Sequence, residues 1–230
     1  MIKDIINIGI PSKGRLRKDV LNIFKKKKLR LASERGERDL LAYVEEKKNI
    51  KIIYLHAREI IQRLGEGSLD LGFSGFDLLK ESEINIQNKI NVTKKYNFGK
   101  AKLVVAIPDE WIDVQTIADL EEIAFNFKDK KKKRLRVATK YPNLTREFLF
   151  SKGVTQFKLV SSLGATEAYP FTESSEIITD ITSTGETLKA NNLRILKDGE
   201  ILKSEACMMI SKSSAKNKAL QSLAKLLSKN

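Results

Sequence analysis

Residues 50–73 read Ile50-Lys51-Ile52-Ile53-Tyr54-Leu55-His56-Ala57-Arg58-Glu59-Ile60-Ile61-Gln62-Arg63-Leu64-Gly65-Glu66-Gly67-Ser68-Leu69-Asp70-Leu71-Gly72-Phe73. Residues 50–55 are rich in β-formers and read as a strand. Residues 57–64 then carry Ile60, Ile61 and Leu64 at helical spacing, so one helix face turns inward. Gly65 and Gly67 punctuate the chain, and residues 69–73 form the next short apolar run. A turn at Ser74-Gly75 leads to a helix through Leu78 and Leu79. A βαβα order implies a mostly parallel sheet covered by helices.

Upstream, residues 5–10 read as a strand ending at Pro11-Ser12-Lys13-Gly14. Residues 15–25 place Leu16, Val20, Leu21 and Phe24 on one helical face. The pattern changes near Tyr96-Asn97-Phe98-Gly99. Beyond it, residues 102–107 form a strand closed by Pro108, 116–127 a helix, 135–139 a strand, 143–151 a helix after Pro142, and 155–160 a strand. The strand–helix arrangement thus recurs without a residue-level repeat. The expected organisation is two α/β lobes with a central cleft: residues 1–96 with 205–230, and residues 97–204. The chain is expected to cross near 96–100 and return near 200–206, with residues 193–211 as a return strand pair. Residues 216–227 would close the fold as a helix carrying Leu220, Leu223 and Leu227 along one stripe.

The chain has 230 residues, 41% of them hydrophobic, and a formal charge of +14. That charge admits nucleic acid, a membrane surface or a polyanionic small substrate as partner. Much of it lies in Lys25-Lys26-Lys27-Lys28 and Lys130-Lys131-Lys132-Lys133-Arg134. The first cluster ends a helical pattern, where cations suit the helix dipole; the second reads as an exposed loop before a strand. Neither is interleaved with aromatics, so base stacking is not indicated. The single cysteine, Cys207, excludes an intramolecular disulfide and a multi-cysteine zinc site. Met1-Ile2-Lys3-Asp4 has no charged-then-apolar leader pattern, and no apolar run reaches membrane-spanning length. A soluble cytoplasmic protein is the expectation.

One segment carries chemistry of its own: Asp180-Ile181-Thr182-Ser183-Thr184-Gly185-Glu186-Thr187. It follows the β-rich run Glu176-Ile177-Ile178-Thr179 and precedes a helix start at Leu188. Such a bend can aim several backbone N–H groups at one phosphate, with hydroxyls as further donors. Asp180, at the strand end, is placed for ribose hydroxyls or a metal. An ordinary strand–turn–helix junction with a Ser or Thr cap accounts for the local pattern equally well.

Six segments in order then define a resemblance. They are Ile8-Gly9-Ile10-Pro11-Ser12-Lys13-Gly14-Arg15-Leu16, Leu69-Asp70-Leu71-Gly72-Phe73-Ser74-Gly75-Phe76-Asp77, Phe98-Gly99-Lys100-Ala101-Lys102-Leu103-Val104-Val105-Ala106, Val137-Ala138-Thr139-Lys140-Tyr141-Pro142-Asn143-Leu144-Thr145, Gly164-Ala165-Thr166-Glu167-Ala168 and the 180–187 segment. From about residue 8 to residue 211 the chain resembles ATP phosphoribosyltransferases, the first enzymes of histidine biosynthesis. The resemblance implies a bilobal fold like type II periplasmic binding proteins. It implies transfer of the 5-phosphoribosyl group of 5-phosphoribosyl 1-diphosphate (PRPP) to N1 of ATP, with Mg²⁺ and release of pyrophosphate. It also implies the short form, without a C-terminal regulatory domain. That form works as a homodimer within a hetero-oligomer, beside a regulatory subunit similar to histidyl-tRNA synthetase. Neither nucleic acid nor a membrane is an expected partner.

Carried over residue by residue, the resemblance sets Ser183, Thr184, Gly185, Glu186 and Thr187 around the PRPP 5-phosphate. It faces Glu167 and Asp180 toward the ribose hydroxyls. Lys13 and Arg15 sit where the first strand ends, the usual ligand edge of such a sheet, and are assigned to pyrophosphate or ATP phosphates; Arg38 matches a further basic position that contacts the substrates, and these three are the expected catalytic residues. Arg58, Asp70, Gly72, Gly75, Lys140 and Tyr141 fall on the ATP side. Mg²⁺ is expected to be held mainly by substrate phosphates. For several of these residues a bland reading stays open: loop charge for Lys13 and Arg15, a solvated ion pair for Arg38, packing for Tyr141. Two departures stand out. Where many members have Arg-x-x-Asp-Ile this chain has His56-Ala57-Arg58-Glu59-Ile60, so His56, Arg58 or neither supplies the charge, and a structural His56 stays open. Lys100 stands where Arg is frequent, keeping the charge without the bidentate fork. A bilobal solute-binding protein and a nucleic-acid-binding module are the competing classes.

Overall fold

A computed structural model describes residues 5–33 and 40–229. The chain divides into two compact units, Met1–Gly99 with Glu205–Asn230, and Lys100–Ser204.

Unit 1 begins with β1 (Ile6–Pro11), α1 (Gly14–Lys26), β2 (Leu31–Ala32), β3 (Leu41–Val44), β4 (Lys47–Leu55), α2 (Ala57–Glu66), β5 (Leu71–Gly75), α3 (Phe76–Glu81), α4 (Ile84–Gln87) and β6 (Ile90–Lys95). Unit 2 contains β7 (Ala101–Pro108), α5 (Ile117–Lys131), β8 (Leu135–Thr139), α6 (Pro142–Ser151), β9 (Phe157–Ser161), β10 (Ile177–Thr182), α7 (Glu186–Ala190) and β11 (Leu193–Ser204). The chain then re-enters unit 1 as β12 (Ala206–Ser211) and α8 (Lys218–Ser228).

Both sheets are mixed, which corrects the expectation of mostly parallel ones. In unit 1 the order is β2-β3-β4-β1-β5-β12-β6, and parallel pairing is confined to β4-β1-β5. In unit 2 the order is β11-β7-β10-β8-β9, with parallel pairing confined to β10-β8-β9. The reason is topological. Strand β12 is inserted antiparallel between β5 and β6, and β7 runs against β10 and β11, so it also opposes β8 despite the α5 connection. The 193–211 stretch is therefore not a strand pair: β11 edges one sheet and β12 lies inside the other.

Strand β12 shows why such a run need not alternate apolar with polar. All six of its residues are buried. Ala206, Met208 and Ile210 enter the core beneath α1 and α8, with Val20, Phe24, Leu220, Leu223 and Leu227. Cys207 and Met209 enter the opposite core, with Ile60, Ile61, Leu64 and Ile86. Successive side chains point to opposite faces, and here both faces are covered. Burial of Ile60, Ile61 and Leu64 contributes about 2 kcal/mol each. Gly72 lets α2 approach that closely, because a Cβ there would lie 2.5 Å from Ile60 Cγ2.

In the second lysine cluster, Lys130 and Lys131 extend α5 and Lys132 caps it in the left-handed region, so only its last members form a loop. Three cations in that last turn complement the helix dipole.

Candidate functional site

In an open α/β sheet, ligands sit beyond the carboxyl ends of the parallel strands. In unit 2 those ends belong to β8, β9 and β10. A cavity of about 420 Å³ lies there, lined by Lys140, Ala165, Glu167, Asp180, Ile181, Thr182, Ser183, Thr184, Thr187 and Leu188. Lys140, expected on the ATP side, follows β8 and lies in this pocket with the residues expected around PRPP; Glu167 lies in the single turn after β9, and Asp180 with its followers ends β10. Three separate stretches of chain thus meet in one pocket.

The bend after Asp180 is built by its own hydroxyls. Thr182 Oγ1 accepts the Gly185 N–H at 2.8 Å, and Thr184 Oγ1 accepts the Glu186 N–H at 3.3 Å. Ser183 Oγ donates to the Lys100 carbonyl at 3.1 Å. Gly185 caps α7 at φ 82°, a conformation that favours glycine. The N–H groups a phosphate would use are therefore aligned by threonine oxygens. A hydroxyl can rotate from acceptor to donor when an anion replaces it.

Asp180 is half-buried. Burial pushes its carboxyl above the usual range, against the pull of the Ile181 N–H at 2.8 Å, Lys140 and the Thr166 hydroxyl; Glu167 adds to the rise. Thr166 is itself fully buried and shares a 2.9 Å hydrogen bond with Ser162. Two acidic groups beside one lysine, rimmed by hydroxyls, can receive a vicinal diol on one side and a phosphate on the other.

In unit 1 the carboxyl ends of β4, β1 and β5 are also adjacent. Lys13 and Arg15 are exposed at the start of α1, next to β1, and Arg58 is exposed in the first turn of α2, next to β4. Ser12 N donates to the Leu55 carbonyl at 2.8 Å, which ties the first two of these ends together. Gly75 ends β5 and caps α3, against Asp77. His56 caps α2, its Nδ1 accepting the Arg58 N–H at 3.3 Å. Asp70 lies at the other end of β5, buried, accepting from Asn7 N at 2.7 Å and from Ser214 Oγ at 2.5 Å. Gly72 is mid-strand under α2. Tyr141 is buried as the cap of α6. Arg38 lies outside the described residues.

Two contributors escaped the sequence reading. Thr182 belongs to the 180–187 segment, but only the fold shows its hydroxyl closing the bend. Thr166 adjoins Glu167, and its approach to Asp180 spans chain segments that no local pattern links.

The family model described as "HisG: ATP phosphoribosyltransferase" matches residues 56–229. The chain belongs to the ATP phosphoribosyltransferase family. It is 42% identical over 209 residues to the ATP phosphoribosyltransferase of Mesorhizobium japonicum, covering 90% of either chain. To that of Nitrobacter winogradskyi it is 44% identical over 205 residues, which are 89% of this chain but 63% of that protein. Among solved structures, the ATP phosphoribosyl transferase (HisG:HisZ) complex from Thermotoga maritima superposes with a TM-score of 0.76 at 26% identity, covering 97% of this chain and 96% of that one. The substrate binding protein of an amino acid ABC transporter gives 0.56 at 14% identity over 97% and 91% of the two chains, and shows the fold alone. Family membership thus sits on a bilobal binding-protein scaffold, as the resemblance implied.

Proposed function

We propose that the chain transfers the 5-phosphoribosyl group of PRPP to N1 of ATP, giving N1-(5-phosphoribosyl)-ATP and pyrophosphate, in the first step of histidine biosynthesis. The observation that carries this reading is the unit 2 pocket, where Asp180, Glu167 and Lys140 face a hydroxyl-rich bend at the sheet's carboxyl edge. In the reaction the N1 lone pair forms a bond to the anomeric carbon as the bond to pyrophosphate breaks. N1 needs no deprotonation, so positioning and electrostatics replace a general base.

The 183–187 bend receives the 5-phosphate through its N–H groups and hydroxyls. Asp180 and Glu167 accept hydrogen bonds from the ribose 2- and 3-hydroxyls and so orient the anomeric carbon. Lys140 offsets the negative charge that gathers in the pocket. In unit 1, Lys13, Arg15 and Arg58 are the cations offered to pyrophosphate and ATP phosphates, with Arg38 a further candidate. Gly75 is proposed to admit the nucleotide close to the backbone. The contacts of Asp70, Gly72 and Tyr141 support structural duties beside or instead of nucleotide binding.

Among the described residues no cluster of three or more His, Cys, Asp or Glu could hold a metal. A Mg²⁺ that arrives on substrate phosphates, the usual habit of that ion, needs no such cluster. When bound, it would neutralise charge on the departing pyrophosphate. The proposed partner is a regulatory subunit resembling histidyl-tRNA synthetase, in a cytoplasmic hetero-oligomer; support comes from the paired complex of the Thermotoga relative. No described helix is long and apolar enough to cross a membrane.

The test is enzymatic. The purified chain, reconstituted with such a subunit, ATP, PRPP and Mg²⁺, should form the adduct with PRPP-dependent absorbance. No product, with PRPP binding absent by calorimetry, would reject the reading.

A further inference from the structure

We propose that Thr139, Thr145 and Thr179 are positioning residues whose closed ring of hydroxyls sets how Lys140 and Asp180 face each other in the unit 2 pocket. The inference deepens the reading above and rests on it for the substrate concerned.

The three side chains come from three elements: Thr139 ends β8, Thr145 lies in α6, and Thr179 lies in β10. All three are at most 2% exposed. Their Oγ1 atoms are mutually bonded: Thr179 to Thr139 at 2.6 Å, Thr139 to Thr145 at 3.1 Å, and Thr145 to Thr179 at 2.6 Å. Thr179 donates to Thr139. A hydroxyl has one proton, so Thr139 then gives its own to Thr145, and Thr145 gives its own to Thr179. The circuit satisfies every member. Thr139 also accepts the Tyr141 N–H at 2.8 Å, which fixes the turn from β8 into α6.

The ring sits where the β8–β10 ladder ends, although β10 stays paired with β7 as far as Thr182. Thr139 and Thr179 are the last registered pair of the parallel β8–β10 ladder. Past them β8 stops, while β10 runs on to Thr182. The next residue on either strand is a pocket residue: Lys140 after Thr139, and Asp180 after Thr179. Neighbouring side chains on a strand point to opposite faces, so the threonines turn toward α6 and Asp180 turns the other way. Hydroxyl bonds replace the missing ladder bonds just beneath the pair that meets the substrate. Core packing alone would be served as well by valine, which has threonine's shape. Three threonines make up a polar circuit that is costly to leave incomplete.

Thr145 gives the cleanest test, because it is in α6 and does not line the pocket. Thr145→Val keeps the shape and removes the hydroxyl; Thr145→Ser keeps the hydroxyl. The expected result is a KM for PRPP raised about tenfold in Thr145→Val, with the KM for ATP within about twofold of wild type. Thr145→Ser should recover PRPP binding to within about threefold. In the substrate-free protein, ¹³C-detected titration of the Asp180 carboxyl should move down in Thr145→Val, because an incomplete ring admits water between the ends of β8 and β10. Lys140 and Glu167 are the charged groups that also act on this carboxyl, and both are unchanged. Should Thr145→Val not fold, Thr179→Val in β10 reads the same quantities.

A folded valine variant with wild-type PRPP affinity and an unmoved Asp180 titration overturns the proposal. So does an equal loss of ATP and PRPP affinity, which marks a merely structural role. Failure of wild-type protein to bind PRPP counts against the proposed function instead, while the titration still reports on the ring.

Discussion

The hydroxyl of Thr182 accepts the backbone N–H of Gly185 at 2.8 Å, and this bond closes the bend at the carboxyl end of β10. Gly185 itself is at φ 82°, and a Cβ built there meets nothing nearer than Ile195 Cδ1 at 4.0 Å. The constraint on this position is therefore backbone conformation and not space. A side chain in the left-handed region costs about 1–2 kcal/mol. Gly185→Val should stay folded by circular dichroism yet lose about a hundredfold in kcat/KM for PRPP, because the amides proposed to hold the phosphate are displaced. Near-normal turnover in a folded variant would remove the phosphate-loop assignment.

The burial of Asp180 sets its proposed role against stability. Its carboxyl is raised mainly by burial, so the folded chain binds this proton more tightly than the unfolded chain does. Stability from this group is complete below the unfolded carboxylate range and is lost as pH climbs through the folded value. Asp180→Asn should accordingly raise Tm at neutral pH, and the gain should fade toward acid. The same change should lower turnover by about two orders of magnitude. A Tm difference that persists unchanged in acid would contradict the burial argument.

The Arg136–Glu176 pair works in the opposite sense. Burial opposes the Glu176 charge, but the Arg136 guanidinium, with Arg136 Nη2 2.6 Å from Glu176 Oε1, and the Arg136 N–H, also at 2.6 Å, hold its carboxyl below the usual range. Its stabilising effect is present above the unfolded value and is lost as pH falls through the folded one. Glu176→Gln should cost about 1–2 kcal/mol at pH 7 and nothing in acid, by denaturant unfolding. PRPP kinetics should hardly change, since the pair lies at the opposite end of β8 and β10 from the pocket.

Cys207 is fully buried in β12, and burial pushes its thiol up to about 12. The thiolate is the reactive form. Alkylation at pH 8 should be negligible in the native chain and complete after unfolding, by mass spectrometry. Rapid native labelling would mean that β12 leaves its sheet.

Legibility followed the range of the forces involved. Strand β8 was read as residues 135–139 and observed as Leu135–Thr139, because apolar run and flanking charge are local signals. Helix α2 was read as 57–64 and extends to Glu66, its C-cap Gly67 left-handed at φ 77°. The hairpin strand β3 was missed: its four residues gain stability only by pairing with β2 and β4. Strand β6 was missed because three of its six residues in a row are exposed, which erases the apolar run.

Sequence alone determined the alternation of strands and helices and the strand–bend–helix order of residues 176–190. Each depends on neighbours within a few residues, where backbone propensity and side-chain period act directly. Only the tertiary structure decided that β12 enters between β5 and β6, that Thr182 closes the bend, and that three threonines from β8, α6 and β10 share one ring. Those outcomes depend on burying both faces of a sheet and satisfying hydroxyls brought together from up to 40 positions apart. No local pattern records which distant partners will meet.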